Sequence, residues 1–368
     1  MTKLYLIRHA EAEGNLYRIA QGQYNSILTD RGIRQVEALR QRFSEIQIDA
    51  VYASDLYRAC ATAGAVYLPK GLPLNRRRDL REICVGVWEQ RTWGDIARED
   101  AEQMENFNRR PHLWHVEGAE APAQVLERVL AAVREIAAAN QGRSVAIVSH
   151  GYAIRLLLAK LQGYSLEELA DTPVGDNTAV SLVEEEHGEL RVVFRDDSSH
   201  LRTPAFLAGE RPGQRASGLE PGLYFLPLRL PEQAEFLRGC AAGIWAESGE
   251  RRPFSGQTLL AGAGERLTLV GYLEEVPVGL VQLGPETGWI SLAGIGREYR
   301  KRGFGVQLIG QAVQKTRERG GQALRIALME GCGGVRFFRD HGFRPAGTGD
   351  GGRVILEKNI GYDPAFSG

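Results

Sequence analysis

Apolar and polar positions in the first half of the chain alternate between two periods. Lys3 to Ile7 is a short apolar run that ends on Arg8-His9, and it predicts a buried strand. A polar, glycine-containing loop is expected from there to Leu28. Thr29 then reads as the N-cap of a helix through about Phe43, with Ile33, Val36, Leu39 and Phe43 on one face. Ala50 to Ala53 predicts a second strand, and Leu56 to Val66 the helix after it. Ser144 to Ser149 (SVAIVS) is continuously apolar, as in strands buried on both faces of a parallel sheet. Helices are expected on either side of it, over Ala123 to Ala139 and Tyr152 to Leu161. Strand and helix in alternation predict an α/β layered fold.

The pattern breaks between Thr203 and Gly222, where TPAFLAGERPGQRASGLEPG has no apolar period and many Gly, Pro and polar residues. Such a stretch suits a linker. Three segments follow: a first domain over 1–203, a linker over 204–222 and a second domain over 223–368. In the second, a helix is expected over Pro231 to Ala246. Strands are expected at Thr268 to Leu273, Val278 to Leu283 and Trp289 to Ile295, then a helix from about Gly305 to Glu318. Short strands at Ala323 to Met329 and Arg353 to Glu357 close the chain. No internal repeat links the halves, and 368 residues exceed one ordinary core.

Composition narrows the partners. The net charge of −1 offers no global attraction to nucleic acid or anionic lipid, so any anion site must be a local cluster. Cys60, Cys84, Cys240 and Cys332 are scattered with no CxxC pair, which argues against a disulfide framework or a zinc site. With no signal-like start and no long apolar run, a cytoplasmic protein with neither membrane nor metal is expected.

The candidate chemistry sits at strand ends, where open α/β sheets bind ligands. Arg8 and His9 follow the first strand, His150-Gly151 follows SVAIVS, and Arg58 opens the helix after VYAS. Guanidinium groups match phosphoryl oxygens bidentately. A neutral imidazole, kept unprotonated by the neighbouring arginines, can attack phosphorus and split the transfer into two steps. Glu82, in Leu80-Arg81-Glu82-Ile83, is the candidate acid for the leaving alkoxide, with a dianionic substrate keeping it protonated by like-charge repulsion. His112, His115, His187, His200 and His341 are expected to be structural.

These motifs resemble the histidine phosphatase (phosphoglycerate mutase-like) superfamily. The resemblance runs in order through Arg8-His9-Ala10-Glu11, Asn15, Gln21-Gly22, Leu28-Thr29-Asp30-Arg31-Gly32 and Ser54-Asp55-Leu56-Tyr57-Arg58. It continues through Leu80-Arg81-Glu82, Gly86-Val87-Trp88-Glu89, Val148-Ser149-His150-Gly151 and Ser198-Ser199-His200-Leu201. It implies a three-layer α/β/α fold in which His9 is phosphorylated, Arg8, Arg58 and His150 bind phosphate, Glu82 donates the proton, and Asn15 and Gly22 line the pocket. Ala10, Ala12 and Gly118-Ala119-Glu120 depart from the family's usual residues without removing a catalytic group. The short segment between Glu82 and His150 resembles the family's phosphatases more than its mutases.

In the second half, Arg300-Lys301-Arg302-Gly303-Phe304-Gly305 follows a strand and opens a helix. Glycines allow close backbone approach, and a helix N-terminus with three cations suits a pyrophosphate. With Trp289 to Ile295, Arg297-Glu298-Tyr299, Phe337-Phe338 and His341-Gly342-Phe343, the loop resembles the acetyl-CoA-binding core of GNAT-type N-acyltransferases. That implies an α+β domain with a mixed, mostly antiparallel sheet. It also implies a pantetheine arm paired with the Ala293 to Ile295 strand, and a pyrophosphate held by Arg300, Lys301, Arg302, Gly303, Phe304, Gly305 and Val306. The family's tyrosine acid falls on Phe338, which has no proton to give. Glu274, Glu275 and Glu286 are base candidates by location only. The expected protein is bifunctional: a phosphatase for a small phosphorylated metabolite, and an acetyl-CoA-dependent N-acetyltransferase. The alternatives are a phosphatase with an acyl-CoA-binding sensor domain and a phosphomutase; oligomeric state is left open.

Overall fold

A computed structural model describes residues 1–210, 222–236, 238–239 and 266–366. In the first half, numbered in chain order, the strands are β1 (Thr2–Arg8), β2 (Ala50–Ser54), β3 (Leu74–Arg77), β4 (Ser144–Ser149), β5 (Val180–Glu186) and β6 (Glu189–Asp197). The helices are α1 (Glu13–Tyr17), α2 (Asp30–Arg42), α3 (Tyr57–Lys70), α4 (Trp93–Glu99), α5 (Ala101–Arg109), α6 (Pro122–Ala139), α7 (Gly151–Leu161) and α8 (Pro204–Leu207). The six strands form one sheet in the order β3-β2-β4-β1-β5-β6. The first four run parallel, and β5 and β6 are antiparallel additions at one edge.

The apolar run of β4 is buried because both faces of the sheet are covered. Val145 and Ile147 pack on the α6–α7 side with Val129, Val133, Leu156 and Leu157. Ala146 and Val148 face the opposite layer with Leu39, Ala59, Ala63 and Val66 of α2 and α3. The two-residue side-chain period thus divides one strand between two cores, giving three layers.

Three expectations change. A helix, α1, stands inside the expected loop, and five residues are too few to show a 3.6-residue period. Ile33 is 59% exposed, whereas Gln35 is only 1% exposed. The buried stripe of α2 is Gly32, Gln35 and Leu39, and the Gln35 side chain accepts a bond from the Glu11 amide (2.7 Å). The expected linker is ordered at its start: α8 follows directly, and Glu210 pairs with Arg31 at 3.0 Å. Residues 211–221 lie outside those described, as do 237 and 240–246 of the helix expected over Pro231 to Ala246.

In the second half, β7 (Tyr224–Pro227), β8 (Thr268–Leu273), β9 (Val276–Leu283) and β10 (Ile290–Ile295) form an antiparallel sheet ordered β10-β9-β8-β7. A second antiparallel sheet, β11-β13-β12, comprises β11 (Ala323–Met329), β12 (Arg344–Gly349) and β13 (Arg353–Asn359). The sheets join through a parallel bridge between Trp289 and Arg325, so β10 and β11 part beyond it. Helices α9 (Phe304–Glu318) and α10 (Gly333–Asp340) pack against them. Strand β12, RPAGTG, lacks the apolar alternation that would announce it; it forms by pairing with β13.

The halves share packing. Tyr17 and Ile19 belong to the hydrophobic cluster of the second half. A Cβ on Gly310 of α9 would come within 2.5 Å of Tyr17 Cβ, so only glycine allows α1 this close. Arg317 of α9 donates to the Glu13 carboxylate at 2.7 Å.

Candidate active site

Register brings the first site together. Arg8 of β1 pairs with Ser149 of β4, so the next residues, His9 and His150, emerge side by side. Their ring centroids are 5.1 Å apart. Strand β2 lies on the other side of β4 and leads into α3, whose second residue is Arg58. Residues far apart in sequence thus share the carboxyl edge of a parallel sheet.

The His9 ring has a defined orientation. Nδ1 lies 2.8 Å from the Ala10 carbonyl oxygen, which only accepts, so the ring proton belongs on Nδ1. Arg58 Nε donates to Nε2 at 3.3 Å, which leaves Nε2 as the lone-pair nitrogen. Burial first, and then Arg58 and Arg8, push the His9 pKa well below the usual histidine value. Sequence reasoning named the arginines; desolvation is the larger cause. Because a depressed pKa keeps the imidazole neutral below the ordinary value, the acid limb of kcat/KM against pH is expected below about 6.5. A limb at or above that value in kcat, where the substrate's own ionisation no longer enters, and lost in His9→Ala, would contradict a depressed His9 pKa.

Arg58 is a fully buried cation and Arg8 a partly buried one whose Nε is shielded from solvent, and neither has an ion pair among the described residues. Arg58 donates instead to the carbonyls of Tyr24 (2.9 Å), Gln21 (3.2 Å) and Gly22 (2.7 Å). Burial lowers its pKa to about 10, so it stays charged at neutral pH. Arg8 donates to the Gly175 carbonyl, while its Nε and both ring nitrogens of His150 have no partner among the described residues. Buried charge is costly unless an opposite charge meets it, so this cluster is built for an anion. The fit beside it is tight: a Cβ on Gly151 would stand 3.0 Å from Arg8 Nε, so a side chain there would press on that guanidinium.

Glu82 faces the same cavity from another segment. Its carboxylate accepts from the amides of Tyr152 (3.1 Å) and Ala153 (3.0 Å) in the first turn of α7. The segment is fixed by Arg128, which donates to the carbonyls of Asp79 (2.9 Å), Arg81 (2.7 Å) and Glu82 (3.0 Å). Glu120, one of the departing residues, orients Arg128 through a pair of bonds at 2.6 and 2.8 Å. Asn15 and Gly22 both line the cavity. At Gly22 a Cβ would lie 2.3 Å from Glu89 Oε1, a carboxylate that accepts from the amides of Gln23 (2.7 Å) and Tyr24 (2.9 Å).

The sequence profile of the Histidine phosphatase superfamily (branch 1) matches residues 4–198. The chain belongs to that superfamily. The profile of the Acetyltransferase (GNAT) family matches residues 232–343 of the same chain. Among relatives, Phosphoserine phosphatase 1 of Hydrogenobacter thermophilus is 28% identical over 201 residues, 55% of this chain and 95% of that protein. Adenosylcobalamin/alpha-ribazole phosphatase of Escherichia coli is 32% identical over 173 residues, 45% of this chain and 82% of that protein. The solved structure of Bacillus stearothermophilus YhfR superposes with a TM-score of 0.53 at 33% identity, covering 55% of this chain and 100% of that one. The fold is therefore a phosphoglycerate mutase-like α/β/α domain fused to a GNAT-like α+β domain.

In this histidine phosphatase the five residues singled out from sequence, Arg8, His9, Arg58, Glu82 and His150, are brought together. Arg128, Glu120, Glu89 and Asn177, whose side chain donates to the His9 carbonyl (2.9 Å), were not foreseen. Glu89 and Glu120 fell only within segments compared with the family, without a role; Arg128 and Asn177 act across long sequence gaps. His200 is structural as expected, bridging Thr178 (3.0 Å) and Arg42 (3.2 Å).

The GNAT domain offers a second cradle. Strand β10 is an outer strand of its sheet, and Ala293 and Ile295 line the same cavity, as do Arg300, Lys301, Arg302, Gly303, Phe304, Gly305 and Val306. Gly303 is the N-cap of α9 with φ +82°, a conformation that favours glycine, and the first-turn amides beyond it are free of helical partners. Arg302 lies over the Phe304 ring at 5.0 Å. Free strand edge, open helix end and cations fit an acyl-CoA. Phe338 is 3% exposed and packs edge-on to Phe343, so it supplies no proton. Glu274 and Glu275 form the exposed β8–β9 turn and Glu286 another exposed turn; none of the three lines the cavity, which corrects their candidacy as bases.

Proposed function

We propose that the first half hydrolyses a small phosphomonoester through a phosphohistidine at His9, and that the second half binds acetyl-CoA and transfers its acetyl group to an amine. One observation carries the first part: two ion-unpaired arginines, Arg58 fully buried and Arg8 with its Nε shielded from solvent, stand beside an imidazole whose Nε2 keeps its lone pair. Arg8, Arg58 and His150 would hold the phosphoryl oxygens while Nε2 attacks phosphorus. As the P–O bond breaks, Glu82 gives its proton to the departing oxygen. The same carboxylate then takes a proton from the water that hydrolyses the phosphohistidine. Two of the relatives named above are phosphatases, which favours hydrolysis over phosphoryl relocation. Asn15 and Gly22 are assigned to the pocket wall, and 1–203 and 223–368 to the two functional units.

The discriminating experiment replaces Glu82 by Gln and compares leaving groups. With poor alkyl leaving groups, phosphate release should fall by roughly 10²- to 10⁴-fold, the usual share of a general acid. With p-nitrophenyl phosphate, whose phenolate leaves without a proton, the first step should lose far less. Because the same carboxylate serves the hydrolysis step common to both substrates, the comparison is read on the first step, as the burst of alcohol or phenolate in the first turnover; equal losses there would remove Glu82 from the acid role. For the second half, acetyl-CoA and an amine panel should release free thiol. The absence of Tyr at Phe338 favours a second reading, an acyl-CoA-binding domain without transfer, in which CoA binds and no thiol is released.

A further inference from the structure

The geometry points to one chamber for both reactions: phosphomonoester and acyl-CoA are bound at the same time, and the compound freed at His9 is the acyl acceptor. This rests on the function proposed above and adds a substrate class, a phosphomonoester whose organic part carries a primary amine.

The first observation is continuity. His9 and Glu82 on one side, and Ile295 and Gly303 on the other, line a single cavity of about 2390 Å³. A pocket for one small ligand is typically about 300–1,000 Å³, so this space exceeds one ligand more than twofold. Its connecting wall is made by both halves, Asn15 and Leu16 around α1 and Gln307 on α9. The second observation is that this wall is locked. Tyr17 stands where any side chain on Gly310 would, and Glu13 holds Arg317 at 2.7 Å, so the segment following His9 is fixed to the helix that opens at Gly303. The third lies beside Glu82. The Tyr152 hydroxyl is buried without a partner among the described residues, and Tyr152 and Phe107 line the cavity as stacked rings 5.1 Å apart. An organic group leaving His9 meets an aromatic wall.

The sequence of events balances. The alcohol oxygen leaves phosphorus with the proton from Glu82, and water later frees inorganic phosphate. The amine nitrogen of the same molecule attacks the thioester carbonyl. A C–N bond forms, the C–S bond breaks with its electron pair on sulfur, and the nitrogen's proton passes to water.

The test uses CoA thioethers that end in an alkylphosphonate, with a graded number of methylenes, as inhibitors of p-nitrophenyl phosphate hydrolysis by the full chain. Joining two ligands of one chamber makes the second contact intramolecular, so at one length inhibition should exceed that of the free alkylphosphonate by roughly 10²- to 10⁴-fold. The gain should disappear in the Lys301→Glu/Arg302→Glu double variant. ω-Aminoalkyl phosphates of the matching length should release thiol from acetyl-CoA fastest. Conjugates no better than free phosphonate at every length, with CoA binding by calorimetry, overturn the shared chamber and leave the two separate activities standing. No CoA binding at all instead removes the acyl-CoA reading. Thiol release absent at the best length overturns the acceptor assignment.

Discussion

His9→Ala should lower phosphate release from p-nitrophenyl phosphate by roughly 10⁴- to 10⁶-fold, the scale of loss when a covalent nucleophile is removed. At about 1.36 kcal/mol per decade this is 5–8 kcal/mol of transition-state stabilisation. The argument is local. His9 is 3% exposed and held by its own Nδ1 contact to Ala10, so Nε2 is the unprotonated ring nitrogen, beside Arg58. His150 does not replace it simply, because His150 is fully buried and is not among the residues lining the cavity, whereas His9 is. The variant should keep its fold, since the imidazole contributes one backbone contact and no part of the apolar layers; near-native thermal stability with lost turnover is the expected pair. Substantial turnover in a folded His9→Ala protein would place the nucleophile elsewhere.

The second large effect is structural. Arg317→Met should destabilise the protein by about 3–5 kcal/mol, the cost of stranding one member of a buried ion pair. Glu13 has a side chain 5% exposed and Arg317 one 16% exposed. Burial alone would lower the Arg317 pKa, yet the Glu13 carboxylate beside it carries it above the ordinary value. Removing the guanidinium also frees the Ile360 carbonyl, which accepts from Arg317 Nε at 3.0 Å. The double variant Glu13→Gln/Arg317→Met should be more stable than Arg317→Met alone, since the stranded charge is gone. Because Glu13 opens α1 four residues after His9, the single variant should lose phosphatase activity below its melting temperature. Denaturant unfolding of the three proteins checks this; equal stability of the single and double variants would contradict it.

How much of this was legible in the sequence depends on reach. Three of the four parallel strands, β1, β2 and β4, announced themselves through apolar runs such as SVAIVS; the edge strand β3, LNRR, did not, because it is only partly buried. Thr29 was legible as a cap because its hydroxyl serves a local amide, that of Gly32 at 3.0 Å. Arg8, His9, Arg58, Glu82 and His150 were legible because each ends a strand or sits in a motif. Gln35 was not, since a polar residue earns a buried position only through a distant partner, here the Glu11 amide. Arg128 was hidden for the same reason, since its carbonyl partners lie more than 45 residues away; Glu120 was visible only as a departure from the family, and α1 was too short for periodicity and is held by α9 from the other half. The single cavity could not be read at all: it exists only where Asn15 and Gln307, nearly the length of the chain apart, form one wall.

The central claim is tested most directly by trapping the intermediate. The protein is mixed with a rapidly turned-over aryl phosphate, quenched in alkali within one turnover, digested and mapped by mass spectrometry. The account predicts one acid-labile, alkali-stable phosphoryl group on the peptide containing His9, absent in His9→Ala and accumulating when Glu82→Gln slows its hydrolysis. Phosphate released at full rate with no phosphorylated His9, or a phosphoryl group on His150 instead, would contradict it.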